Sequence, residues 1–124
     1  MGRKGEIARL KWSDVDLERK VIMINEPEKG SDPRMTKITE KCASMLSRLP
    51  KKGVKVFVNK KSISQNFYKQ RKAITHRFDN PRFLQIGFHT FRHWGATMLY
   101  HKTKDLLYVK EVLGHKNIKN TLVY

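Results

Sequence analysis

Residues 89–115, HTFRHWGATMLYHKTKDLLYVKEVLGH, hold two helical signals separated by a single break, and their reading sets the fold class. Over residues 89–101, Phe91, Trp94, Thr97 and Met98 recur at intervals of three and four, which places them on one face of an α-helix. A second helix is expected over 105–113, because Gly114 stands where helices commonly turn left-handed and stop. Towards the N-terminus, Ser62 fits the N-cap of a helix of about four turns ending near Phe78. Its spacing puts Ile63, Phe67 and Ile74 inward and Lys69, Arg71, Lys72 and Arg77 outward. Asp79-Asn80-Pro81 then breaks the chain. An earlier helix is expected from Thr39-Glu40-Lys41-Cys42 to Leu49, with Cys42, Met45, Leu46 and Leu49 as its apolar face. That position makes Cys42 a core residue rather than a nucleophile.

The β signals are few. Residues 21–24 are β-prone, residues 35–39 alternate apolar and polar, and the turn formers of 25–33 between them predict a hairpin with a long tip. Residues 54–58 are strand-like. Residues 5–12 read as a short helix with Ile7 and Leu10 inward, 13–16 as a turn, and 118–124 as a short helix or extended segment. No internal repeat or low-complexity linker interrupts the chain. The order predicts an α+β domain dominated by helices.

Composition narrows the function class. The chain has 124 residues, 27 Lys and Arg against 11 Asp and Glu, and one cysteine. One cysteine excludes an internal disulfide and a Cys-based zinc site. No apolar run approaches the ~18–20 residues of a membrane span. A soluble, intracellular, basic domain is therefore expected. The charge is uneven: residues 1–40 carry a net of +1, and residues 41–124 a net of +15. A field of one sign costs self-repulsion, and a polyanion is the usual reason to keep it. A solvated lysine-rich face and a membrane surface are the competing readings.

Several residues carry chemistry. His89 and His93 share a helix face, and so do His89 and Arg92. A metal reading of the two histidines lacks the acidic partner and third ligand that zinc helices show. A solvated basic face is the bland reading of the same stretch. Leu113-Gly114-His115 follows, with Tyr124 nine residues after His115. Arg3 and Glu6 open the first helix, where backbone N–H groups already favour an anion.

Together these motifs resemble the tyrosine recombinases, which include phage integrases and Xer-type recombinases. Arg3-Lys4-Gly5-Glu6-Ile7-Ala8-Arg9-Leu10 and Trp12-Ser13-Asp14-Val15-Asp16 are similar to the family's first arginine box. His89-Thr90-Phe91-Arg92-His93 resembles its His-x-x-Arg-His box. Leu113-Gly114-His115 and Tyr124 resemble its Leu-Gly-His box and nucleophilic tyrosine. Lys29, five residues before Arg34, matches the family's sheet lysine. The boxes occur in the family's order across almost the whole chain.

The resemblance implies a mostly helical catalytic domain with a small three-stranded antiparallel sheet. It implies that Arg3 and Arg92 grip a scissile phosphate, because guanidiniums bind phosphate oxygens bidentately and stay charged. His89 and His115 would donate to the same oxygens or shuttle a proton. Tyr124 would attack and form a 3′-phosphotyrosine. Lys29 would protonate the departing 5′-oxygen, and Glu6 would support one of the cations. Lys69, Arg71, Lys72 and Arg77 would hold the DNA backbone, which positions without specifying sequence. No cofactor or metal is implied, since arginine supplies the charge that Mg²⁺ supplies elsewhere. The implied partners are double-stranded DNA and further copies of the chain, a tetramer on DNA for the full-length family, with no membrane. The implied setting is the cytoplasm at the host nucleoid, a virus or plasmid being one source of such a chain. A DNA-binding integrase remnant without catalysis, and a metal-dependent nuclease or RNA-binding domain, are the other classes considered.

The pattern departs from the family at both ends. The family places helices of the same domain, and a separate DNA-clamping domain, before the first arginine, and here Met1 lies two residues ahead of Arg3. The family continues past its tyrosine. The expectation is therefore a partial catalytic domain spanning 1–124 without the clamping domain. Weak, salt-dependent DNA binding and low recombination activity alone are expected to follow.

Overall fold

The computed structural model describes residues 1–124, the side chain of Lys60 excepted. Its sheet is an antiparallel meander of β1 (Val15–Asp16), β2 (Val21–Ile24) and β3 (Arg34–Lys37), in that spatial order. Period-two alternation sets the register. Ile22 and Ile24 are buried while Met23 faces out opposite Met35, and Ile24 faces Arg34 across the ladder. Arg34 therefore begins β3 on the buried side.

The described residues form five α-helices: α1 (Lys4–Ala8), α2 (Glu40–Ser47), α3 (Lys60–Arg77), α4 (Phe88–Thr103) and α5 (Leu106–Leu113). Short 3-10 turns lie at Trp12–Asp14, Pro81–Gln85 and Ile118–Asn120. Capping chemistry fixes several starts. Thr39 Oγ1 accepts from Cys42 N at 3.2 Å, and Asp105 Oδ1 accepts from Tyr108 N at 2.9 Å. Gly114 ends α5 at φ 68°. The domain is thus α+β and mostly helical with a three-stranded antiparallel sheet, as expected.

Several local expectations are corrected. The first helix stops at Ala8, because Leu10 and Trp12 turn their backbones to residues 54–56: Val56 N donates to Leu10 O at 3.0 Å and Trp12 N to Val54 O at 2.9 Å. Residues 54–58 form one isolated bridge, Lys11 with Lys55, and no strand. The third strand is β1, in a stretch whose Asp residues signalled a turn. Asn59, not Ser62, caps α3, its Oδ1 accepting from Lys61 N at 2.8 Å. On α4 the face of Phe91, Trp94 and Met98 is exposed, Trp94 by 66%. The buried face carries Arg92 and Ala96. Both faces have helical spacing, and α5 packs against the second.

The core has two parts. Leu10, Ile22, Leu46 and Val56 join the sheet to α2. Ala96, Val109 and Leu113 join α4 to α5, with Met1, Leu99, Tyr100 and Tyr124 packed on them. The start of α1, the loop before β3, α4 and the end of α5 meet between the two.

Candidate active site

The loop from β2 to β3 is held against the segment after α5. Asp32 N donates to Gly114 O at 3.1 Å, Lys116 N to Gly30 O at 3.4 Å, and Ser31 pairs with His115 in an antiparallel bridge. This joins the loop between β2 and β3 to the chain's C-terminal motif. Gly114 is required twice over. Its φ is left-handed, and a Cβ there would lie 2.7 Å from Arg34 Nη1 and 2.8 Å from Arg34 Cδ.

Glu6 is the anionic centre. Its carboxylate is buried and receives a two-pronged fork from Arg34, Nη2 to Oε2 at 2.7 Å and Nη1 to Oε1 at 3.3 Å. Backbone N–H groups of Arg3, at 2.7 Å, and Glu28, at 3.2 Å, also donate to it. Burial works to raise its pKa. The hydrogen bonds from Arg34 and Arg3 override burial and hold it at about 2. Arg3 caps α1 and its guanidinium donates to Ser31 Oγ, 4.0 Å from Glu6.

Arg92 rises from the buried face of α4. Its guanidinium donates to the carbonyls of Met1 and, at 2.5 Å, Leu113. Its Nη2 lies 3.4 Å from His115 Nε2. Burial, then the charges of Arg3 and Arg34, pull its pKa down to about 10. It stays charged at neutral pH, in a site where cations outnumber the single carboxylate. His115 is buried, with Nδ1 3.0 Å from Thr121 Oγ1. Since a guanidinium can only donate, Nε2 accepts and the proton is assigned to Nδ1. Burial and the three arginines push the pKa of His115 down, which favours the neutral ring.

Tyr124 packs on the Ala96, Val109 and Leu113 cluster and its hydroxyl lies 2.7 Å from His93 Nδ1. Burial pushes its pKa up, against a smaller downward pull from Arg92. His89 is exposed on α4 and its ring centroid is 6.5 Å from that of His93.

The remaining candidates lie on the surface. Lys29 is exposed in the β2–β3 loop beside left-handed Gly30, with no hydrogen-bond or ion-pair partner among the described residues. Lys69, Lys72 and Arg77 are exposed on α3. Arg71 differs from them: it is half-buried, donates from Nη1 to Ile86 O at 2.9 Å and lies over the Phe67 and Tyr68 rings. Among the described residues, no three His, Cys, Asp or Glu side chains converge in a way that could hold a metal. Among the described residues, no helix is long and apolar enough to cross a membrane.

The structure thus brings Arg3, Glu6, Arg92 and His115 together, and sets Tyr124 within reach of Arg92. Sequence reasoning missed three neighbours. Arg34 has no signal beyond its place just before the alternating residues 35–39. Thr121 is fully buried under His115, and nothing in its surroundings marks it. His93 adjoins Arg92 in the sequence, and the resemblance assigns it no role at Tyr124.

The profile of the phage integrase family matches residues 2–124. The chain is 32% identical to tyrosine recombinase XerH of Helicobacter pylori, over 98% of this chain and 36% of the relative. It is 29% identical to tyrosine recombinase XerH of Campylobacter jejuni, again over 98% of this chain and 36% of the relative. A crystal structure of XerH bound to difH substrate, a pre-cleavage complex, aligns with a TM-score of 0.75 at 30% identity, over 98% of this chain and 38% of that one. The chain therefore spans little more than a third of the length of these relatives.

Proposed function

This chain belongs to the phage integrase family, and on that premise we propose that it carries the catalytic centre of a site-specific DNA recombinase. One observation carries the reading: the guanidiniums of Arg3, Arg34 and Arg92 gather around a site whose single carboxylate, Glu6, is already engaged. A cationic excess this close is self-repelling until an anion enters. A phosphodiester has the right charge, and its non-bridging oxygens match guanidinium forks.

Each residue then has a task. Arg3 and Arg92 hold the non-bridging oxygens and stabilise the charge that builds on them in the transition state. Arg34 and Glu6 do not touch DNA: they lock the start of α1 to β3 and so aim Arg3. His115 donates to a phosphate oxygen once the phosphate's charge raises its pKa. His89, exposed on α4, meets the DNA at the site's edge. Tyr124 attacks phosphorus, and the 5′-oxygen leaves with a proton from Lys29, whose loop is pinned beside His115. The 3′-phosphotyrosine that results keeps the ester's energy, so a 5′-hydroxyl can reverse the step. Lys69, Lys72 and Arg77 bind flanking phosphates, and further copies of the chain complete a synapse.

A nicked duplex that loses its 5′-hydroxyl fragment after cleavage traps the intermediate. The unaltered chain is expected to form a covalent, protease-sensitive DNA adduct in excess chelator, and Tyr124→Phe to form none. DNA retention without an adduct would instead indicate a binding protein, and a chelator-sensitive cut a metal nuclease.

A further inference from the structure

We propose that His93 is the general base that takes the proton from Tyr124 during cleavage and returns it during rejoining. The inference rests on the recombinase reading above and deepens it by adding a residue at the reacting oxygen.

Phenols attack phosphorus poorly until the proton leaves, and here burial makes the Tyr124 proton harder to lose than usual. A base must therefore touch the hydroxyl. His115 is committed on both sides, Nδ1 to Thr121 and Nε2 to Arg92. The Glu6 carboxylate is enclosed by Arg34 and two backbone N–H groups. Among the described residues, the ring that His89 approaches is that of His93, at 6.5 Å between centroids, and not that of Tyr124. His93 alone offers a ring nitrogen, Nδ1, at 2.7 Å from the hydroxyl, with the two rings 5.6 Å apart between centroids and inclined at 42°.

The role assigns the tautomer: the Tyr124 hydroxyl donates to Nδ1, and the ring proton sits on Nε2. The proton inventory then closes. The O–H bond of Tyr124 breaks and its proton passes to Nδ1 of His93. The oxygen's electron pair forms the bond to phosphorus. The bond from phosphorus to the 5′-oxygen breaks, and that oxygen takes its proton from Lys29. Rejoining runs the same steps backward, with the imidazolium of His93 protonating Tyr124. Since His93 is exposed on α4, its replacement leaves the core untouched.

The test uses the nicked duplex in single-turnover reactions. His93→Ala is expected to slow adduct formation about 100-fold, the size of a general-base contribution, with DNA affinity unchanged. Added imidazole is expected to restore part of the rate. His93→Asn keeps an acceptor near the position of Nδ1 without a base and is expected to stay slow. A 5′-bridging sulfur in the DNA, which leaves without a proton, is expected to rescue Lys29→Ala and not His93→Ala. An unchanged rate in His93→Ala, full activity in His93→Asn, or imidazole rescue of His89→Ala in place of His93→Ala would overturn the assignment. If the unaltered chain forms no adduct, the recombinase reading itself falls, and the role of His93 with it.

Discussion

Glu6 makes the site sensitive to acid. Its carboxyl titrates at about 2 in the fold against an ordinary value of 4.5. The folded value is depressed, so its stabilisation is complete above about pH 4.5 and is lost as pH falls towards 2. Glu6→Gln is expected to cost about 3 kcal/mol, since it leaves Arg34 buried beside a neutral partner. The melting temperature of that variant should also vary less between pH 4.5 and 2 than that of the unaltered chain. An equally steep acid limb in the variant would place the sensitivity elsewhere. Arg34→Ala should lower stability by a similar amount and weaken DNA cleavage through Arg3, which loses its anchored neighbour.

At the scale of elements, the turn after α5 determines how the two ends of the chain meet. Gly114→Ala meets a left-handed φ and the Arg34 side chain together, and is expected to cost about 1–3 kcal/mol. Gly114→Asn tolerates the φ but keeps the clash, so it should fold better than Gly114→Ala while cleaving as poorly. Thermal melts and single-turnover cleavage, read side by side, separate the two effects. This turn was legible in the sequence because its cause is local: Gly114 after an apolar helix has one common meaning. So were the cap at Thr39 and the β-prone run of residues 21–24. What the sequence hid depends on contacts far apart in the chain. Residues 54–58 have strand composition but find only Lys11 to pair with. The face of α4 with the larger side chains is exposed, because Arg92 is drawn inward by carbonyls of residues 1 and 113. The resemblance to the recombinase boxes singled out Arg3, Arg92, His115 and Tyr124 as candidates. Spacing could not mark Arg34, which joins Glu6 from 28 residues away.

For the whole molecule, the net of +15 in residues 41–124 predicts DNA binding that weakens steeply with salt. Lys69→Ala, Lys72→Ala and Arg77→Ala should each lower affinity alike for all sequences and reduce the slope of log K against log salt by about 1. Arg71→Ala should leave that slope unchanged and destabilise the fold, because Arg71 is tied to Ile86 and the Phe67 ring. Titrations over a range of salt distinguish the two outcomes. The exposed Phe91, Trp94 and Met98 face is expected to promote association that rises with concentration and falls in Trp94→Ser, measured by sedimentation. The central claim is that one arginine-lined phosphate site delivers DNA to Tyr124. Peptide mass spectrometry of the trapped adduct tests it most directly. The account predicts a nucleotide joined through its 3′-phosphate to Tyr124, formed in the absence of divalent metal. A linkage through a 5′-phosphate, or attachment to Tyr68, Tyr100 or Tyr108, would contradict it.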